Sequence, residues 1–177
     1  QVEKLVPPKK GDKHVLRVVR EILGFHPQQE QSIGQQSIGP GTNLAIAFKT
    51  LTKVAPRRSL AFVISDFFDS GFERAMSLAA AKHDIIPVML VDPRDETLPN
   101  VGLATFEDFE TGEDVLIDTS DKRVRDHYKE SMRALRDEKI ELFRRYKLDP
   151  CIVRTDGSFV TPLRDLFARR ARRVRAR

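Results

Sequence analysis

The chain has 177 residues, 40% of them hydrophobic, enough to bury one sizeable core and to form one domain over 1–177. No apolar run approaches the roughly 20 residues that span a bilayer, and residues 1–10 lack the apolar stretch of a signal peptide. The single Cys151 excludes an intrachain disulfide, and no Cys/His spacing suits zinc, so a reducing, cytoplasmic setting is expected. The formal charge of +5 sits at one end: Arg169, Arg170, Arg172, Arg173, Arg175 and Arg177 all fall in the last ten residues, and without them the net charge is −1. The body therefore carries no general electrostatic attraction for nucleic acid.

In chain order, Val2–Val6 reads as an edge strand, broken by Pro7-Pro8. Asp12 is expected to cap a helix whose apolar face runs through Val15, Leu16, Val18, Val19, Ile22 and Leu23 and which stops at Gly24. The Gln-rich stretch from Phe25 to Gly41, with its near-duplication Gln31-Ser32-Ile33-Gly34 and Gln36-Ser37-Ile38-Gly39, reads as a loop. Thr42 is the expected N-cap of an amphipathic helix ending near Pro56. Leu60–Ile64 is a short apolar run expected to be a strand buried on both faces, followed by a helix over Phe72–Lys82 and a second buried strand at Ile85–Val91. Two βα units in succession imply a parallel sheet.

Beyond the turn-rich Pro93–Gly102, the segments Leu103–Phe109 and Asp114–Asp118 flank Glu110-Thr111-Gly112-Glu113, a hairpin signature. A long charged helix follows from Ser120 to about Tyr146, with Val124, Tyr128, Met132, Leu135, Ile140 and Phe143 as its inner stripe. Cys151–Arg154 reads as a third strand, and a basic C-terminal helix closes the chain over 162–177. The fold class expected is α/β, three-layered, with a mainly parallel sheet, helices on both faces and an inserted hairpin.

Ligands of open α/β sheets bind at the carboxyl ends of the strands. Asp66 follows the first buried strand, Asp92 the second and Asp156 the third, with Asp69 and Thr42 able to reach the same rim. Magnesium needs only one or two carboxylates and a hydroxyl beside its retained waters. The competing reading makes Thr42 an ordinary N-cap, lets Asp66 or Asp69 cap the following helix, and makes Asp92-Pro93 a turn opener. By residue type alone Cys151 is a small core residue. His83 is expected at the exposed end of its helix, and the arginines Arg169, Arg170, Arg172 and Arg173 on a solvated helix end.

The ordered runs Pro7-Pro8-Lys9-Lys10-Gly11 with His14-Val15-Leu16, Gly41-Thr42-Asn43-Leu44 and Ile64-Ser65-Asp66-Phe67 resemble the bacterial domain-of-unknown-function family fifty-eight. So do Asp92-Pro93-Arg94-Asp95-Glu96, Leu98-Pro99-Asn100-Val101-Gly102, Glu110-Thr111-Gly112-Glu113 and Asp118-Thr119-Ser120. The resemblance implies a variant of the von Willebrand factor A fold, whose metal-ion-dependent adhesion site combines an Asp-x-Ser-x-Ser motif, a threonine and an aspartate. Thr42 matches the second position and Asp66 the third. The first motif is expected on a strand upstream of Gln1, so this chain is expected to be N-terminally incomplete, and Mg²⁺ or Mn²⁺ to belong to the full-length protein. The missing strand would leave the Leu60–Ile64 edge unpaired, giving either a homodimer that covers it or a poorly behaved fragment.

The resemblance further implies a non-catalytic protein-interaction domain working with a MoxR-type AAA+ ATPase in chaperone-like assembly or maturation. It implies a place at the inner face of the membrane through upstream helices. No positioned base and nucleophile are legible. The alternative is a magnesium-dependent phosphohydrolase or nuclease using Asp66, Asp92 and Asp156. Nucleic-acid binding through the arginine tail ranks last, because no aromatic is interleaved to stack on bases.

Overall fold

The computed structural model describes all residues except 1, 3, 8, 26–42, 108–113 and 176–177. In chain order its elements are α1 (Asp12–Leu23), α2 (Leu44–Val54), β1 (Leu60–Ser65), α3 (Glu73–Lys82), β2 (Asp84–Val91) and α4 (Pro93–Glu96). There follow β3 (Leu103–Glu107), β4 (Asp114–Asp118), α5 (Lys122–Arg145), β5 (Cys151–Arg154) and α6 (Val160–Arg175). The Gln-rich stretch and the tip of the hairpin lie outside the described residues. Val2 and residues 4–7 form no strand, contrary to expectation, and among the described residues no strand lies beside them to satisfy their backbone.

The sheet is parallel, in the order β1-β2-β5, with Leu60 opposite Asp84 and Val88 opposite Cys151. Successive side chains of β2 serve two cores, as the pleat requires. Ile85, Met89 and Val91 join Leu44, Phe48, Phe72, Met76 and Phe143 on the side of α2, α3 and α5. Ile86 and Val88 join Cys151, Val153 and Leu166 under α6. Pro87 sits inside this central strand although it lacks an amide donor. Asp84 donates to Ser59 on the β1 side, so by alternation Pro87 faces β5, one residue before that strand's pairing begins at Val88.

The expectation that β1 is buried on both faces is corrected: Leu60, Phe62 and Ile64 are 49, 44 and 64% exposed. They share the α6 face of the sheet, and α6 covers mainly β2 and β5 there. Phe167 alone gives Phe62 an edge-on aromatic contact, with centroids 6.2 Å apart. Among the described residues β1 has no partner on its other edge. The apolar stripe of α1 is uncovered too: Val15, Leu16, Val19, Ile22 and Leu23 are exposed. Its cap is also corrected, since Asp12 is the first helical residue and Gly11 precedes it, while Gly24 ends the helix as expected.

Two further expectations fail for tertiary reasons. His83, placed at an exposed helix end by pattern, is 2% exposed because it follows α3 directly into the central strand. Both its ring nitrogens lack a hydrogen-bond partner among the described residues. Leu135, assigned to the inner stripe of α5, is 44% exposed, whereas Phe143 is fully buried. Val124, Tyr128, Met132 and Ile140 are half-buried, so the stripe faces inward along the helix, and Leu135 falls at its edge beside the half-buried Arg136. α6 begins at Val160, two residues before the expected start, with Pro162 tolerated in its first turn. Among the described residues no helix is long and apolar enough to cross a membrane.

Candidate functional site

The carboxyl ends of β1 and β2 bring Asp66 and Asp92 to one rim, as their positions after the strands require. Asp66 is exposed and sits in a turn fixed by its neighbour. Phe67 has a positive φ of 61°, a conformation that disfavours side chains with a Cβ, yet its ring is 1% exposed. That ring packs edge-on against Phe143 at 4.9 Å and beside Phe72 at 6.1 Å. The Phe67 amide donates to Ser65 Oγ at 3.1 Å, and Ser65 Oγ in turn donates to Asp66 Oδ1 at 3.2 Å. The Phe68 amide donates to the same oxygen at 3.3 Å. The core thus locks the loop, and the loop aims the carboxylate.

Asp92 accepts the Arg94 amide at 2.9 Å and caps α4, a four-residue helix where only turns were expected. α4 carries Asp95 one turn on, next to both other carboxylates. Partial burial, followed by the like charges of Asp92 and Asp66, pushes the Asp95 carboxyl above the usual range. Among the described residues none of the three forms a salt bridge, in contrast to Glu96 beside them. Ionised Asp95 is therefore less favourable in the folded state than in the unfolded chain. Stability present below the unfolded carboxylate value is lost as pH rises through the higher folded value. Asp95→Asn is expected to raise Tm at pH 7, by no more than about 0.5 kcal/mol in stability. The gain should fade below about pH 4. Thermal melts across pH check this; a gain that persists unchanged in acid would contradict it.

The remaining expected rim residues are occupied otherwise. Asp69 accepts the Leu44 amide at 2.7 Å and the Ser70 amide at 2.7 Å, so it caps α2 across the structure. The helix that follows it, α3, begins after Phe72 with no side-chain cap. Thr42 lies outside the described residues, and the side-chain cap of α2 is Asn43, which accepts the Ile46 amide at 3.0 Å. Asp156 is held by Arg154, with contacts of 3.1 and 3.3 Å, and this pairing keeps its carboxyl below the usual range. Arg154 also donates to Glu96 at 2.7 Å, and Glu96 bonds Arg136 of α5. This network, invisible to local pattern, ties β5, α4 and α5 together behind the rim.

Cys151 is buried, and burial raises its thiol, with Arg169 opposing, as befits a core residue. The arginine tail is not wholly free: Arg170 bonds Asp84, and Arg173 reaches Asp149 at 3.2 Å. Arg169 and Arg172 are exposed. Among the described residues no three His, Cys, Asp or Glu side chains converge closely enough to hold a metal ion. What the rim offers is a well-positioned, exposed carboxylate at Asp66 with Asp92 and the likewise exposed Asp95 as acidic neighbours.

A family described as "Protein of unknown function DUF58" matches residues 1–138. An uncharacterised protein of Mycobacterium avium is 30% identical over 127 residues, covering 71% of this chain and 75% of that protein. Uncharacterised proteins of Mycobacterium bovis and Mycobacterium tuberculosis are 32% identical over 108 residues, 60% of this chain. The matched stretch is 32% of the length of these last relatives. No solved structure matches.

Proposed function

Because the chain belongs to the DUF58 family, we propose that it is a non-catalytic protein-interaction domain of von Willebrand factor A type, whose binding rim is centred on Asp66. The observation that carries this reading is the Phe67 turn, which spends backbone strain to hold an exposed carboxylate at the end of a parallel strand. Asp66 and Thr42 are the residues that would hold Mg²⁺ or Mn²⁺. Hard carboxylate and hydroxyl oxygens suit such an ion, and Asp66 Oδ2 accepts no hydrogen bond among the described residues. A bound cation would offset the like charge that Asp92 and Asp66 place on Asp95 and offer an open coordination position to a partner carboxylate.

The open edge of β1 supports the same architecture. A strand bearing the Asp-x-Ser-x-Ser motif would pair with this edge, and where that strand is not paired there a second copy of the chain would take the edge instead. The partner proposed is a MoxR-type AAA+ ATPase, in chaperone-like assembly at the inner membrane face. The engagement of Asp156 by Arg154 weighs against the phosphoesterase alternative, which needs that carboxylate at the rim. Light scattering tests both partners: the chain alone is expected as a dimer, and with the ATPase as a heavier complex weakened by Asp66→Ala. A stable monomer contradicts the edge pairing, and an unchanged mass with the ATPase contradicts the partnership.

A further inference from the structure

Beside the acidic rim lies a groove of about 550 Å³ between the β3–β4 hairpin and the N-terminal half of α5. That is within the range of about 300–1,000 Å³ typical of ligand sites. Its walls include Leu98, Ile117, Val124 and Tyr128. Its own charges are matched, since Arg123 donates to Asp121 at 2.9 Å. The rim is not matched in this way. Leu98 follows α4 by two residues, and α4 is fastened to α5 through Glu96 and Arg136, so groove and rim share one scaffold. Burial first, and the charge of Asp95 second, raise the Tyr128 hydroxyl above its ordinary value.

We propose that this groove docks a segment of a protein partner carrying an apolar side chain beside a basic one. The apolar side chain enters between Leu98, Ile117 and Val124, and the basic one reaches Asp95 and Asp92. Where no cation is bound at Asp66, charge complementarity selects this occupant: a basic side chain meets Asp92 and Asp95, which have no basic partner among the described residues, and an acidic segment would be repelled. The inference rests on the protein-interaction reading and names the chemistry of the partner it takes.

The test titrates two synthetic peptides into the full chain, one alternating arginine with leucine and one alternating glutamate with leucine, followed through methyl NMR signals with and without Mg²⁺. The arginine peptide is expected to shift Leu98, Ile117 and Val124, with affinity falling about tenfold or more in D92N/D95N. Asparagine retains the capping oxygen at position 92, so α4 should persist. If only the glutamate peptide binds, and needs Mg²⁺ and Asp66, recognition at the metal survives and the groove inference fails. Equal binding of both peptides, binding of neither, or shifts confined to the α1 stripe also overturns it.

Discussion

Phe143→Ala is expected to cost about 3–5 kcal/mol, a large share of the roughly 5–15 kcal/mol that holds a typical domain folded. Phe143 is fully buried and meets Phe67 edge-on, so its loss leaves a cavity under a residue that must hold a strained turn. The effect should not stop at stability. With its packing partner gone, Phe67 has less reason to keep a positive φ, and Asp66 loses its fixed position. Urea unfolding measures the first consequence, and amide shifts of Ser65 to Phe68 the second. A midpoint within experimental scatter of the parent would contradict the account of the core.

The second large effect lies at the base of the hairpin. Thr119 is fully buried; its hydroxyl donates to the Gly102 carbonyl at 2.6 Å and accepts the Val101 amide at 3.0 Å. Gly102, at φ 79°, presents that carbonyl to the Thr119 amide as well, at 2.8 Å. Thr119→Val keeps the shape and removes the hydroxyl, stranding the Val101 amide, and is expected to cost about 1–3 kcal/mol. Thr119→Ser, which keeps the oxygen, should lose less. Denaturant titration of the two variants decides it: a valine variant at least as stable as the serine one would show that the clamp is dispensable. Because Ile117 lies two residues away, the valine variant should also loosen the groove wall.

These two residues illustrate what could be read from the chain and what could not. Phe143 sits on a helical stripe and was legible as core. Leu135 fits the same periodicity yet is exposed, because after Met132 both i+3 and i+4 continue a helical stripe, and it is Arg136, at i+4, that turns inward to Glu96. The strand ends at Asp66 and Asp92 were legible because short apolar runs stop there. The boundaries of β5 were read without error. Asp95 was missed as a rim residue, although it stands three positions after the capping Asp92, a spacing that returns to the same helical face.

Other features carry no local signal. Asp69 caps a helix 25 residues earlier in the chain, and Glu96 meets Arg136 and Arg154 at separations of 40 and 58 residues. Only the assembled sheet brings these groups together. Thr42 and Asn43 are both competent caps in adjacent positions, and residue type does not choose between them. The exposure of β1 was unreadable for a different reason. A continuous apolar run reports the environment for which the strand is suited, two covered faces, and the described residues cover only one.

The most direct test of the central claim is calorimetric titration of Mg²⁺ and Mn²⁺ into this chain and into a form extended upstream to include the proposed strand with its Asp-x-Ser-x-Ser motif. Binding is predicted for the extended form, abolished by Asp66→Ala or Thr42→Ala, and much weaker in the present chain. Absence of binding in both forms would contradict the claim, and Asp66 would then be a carboxylate that serves only its own turn.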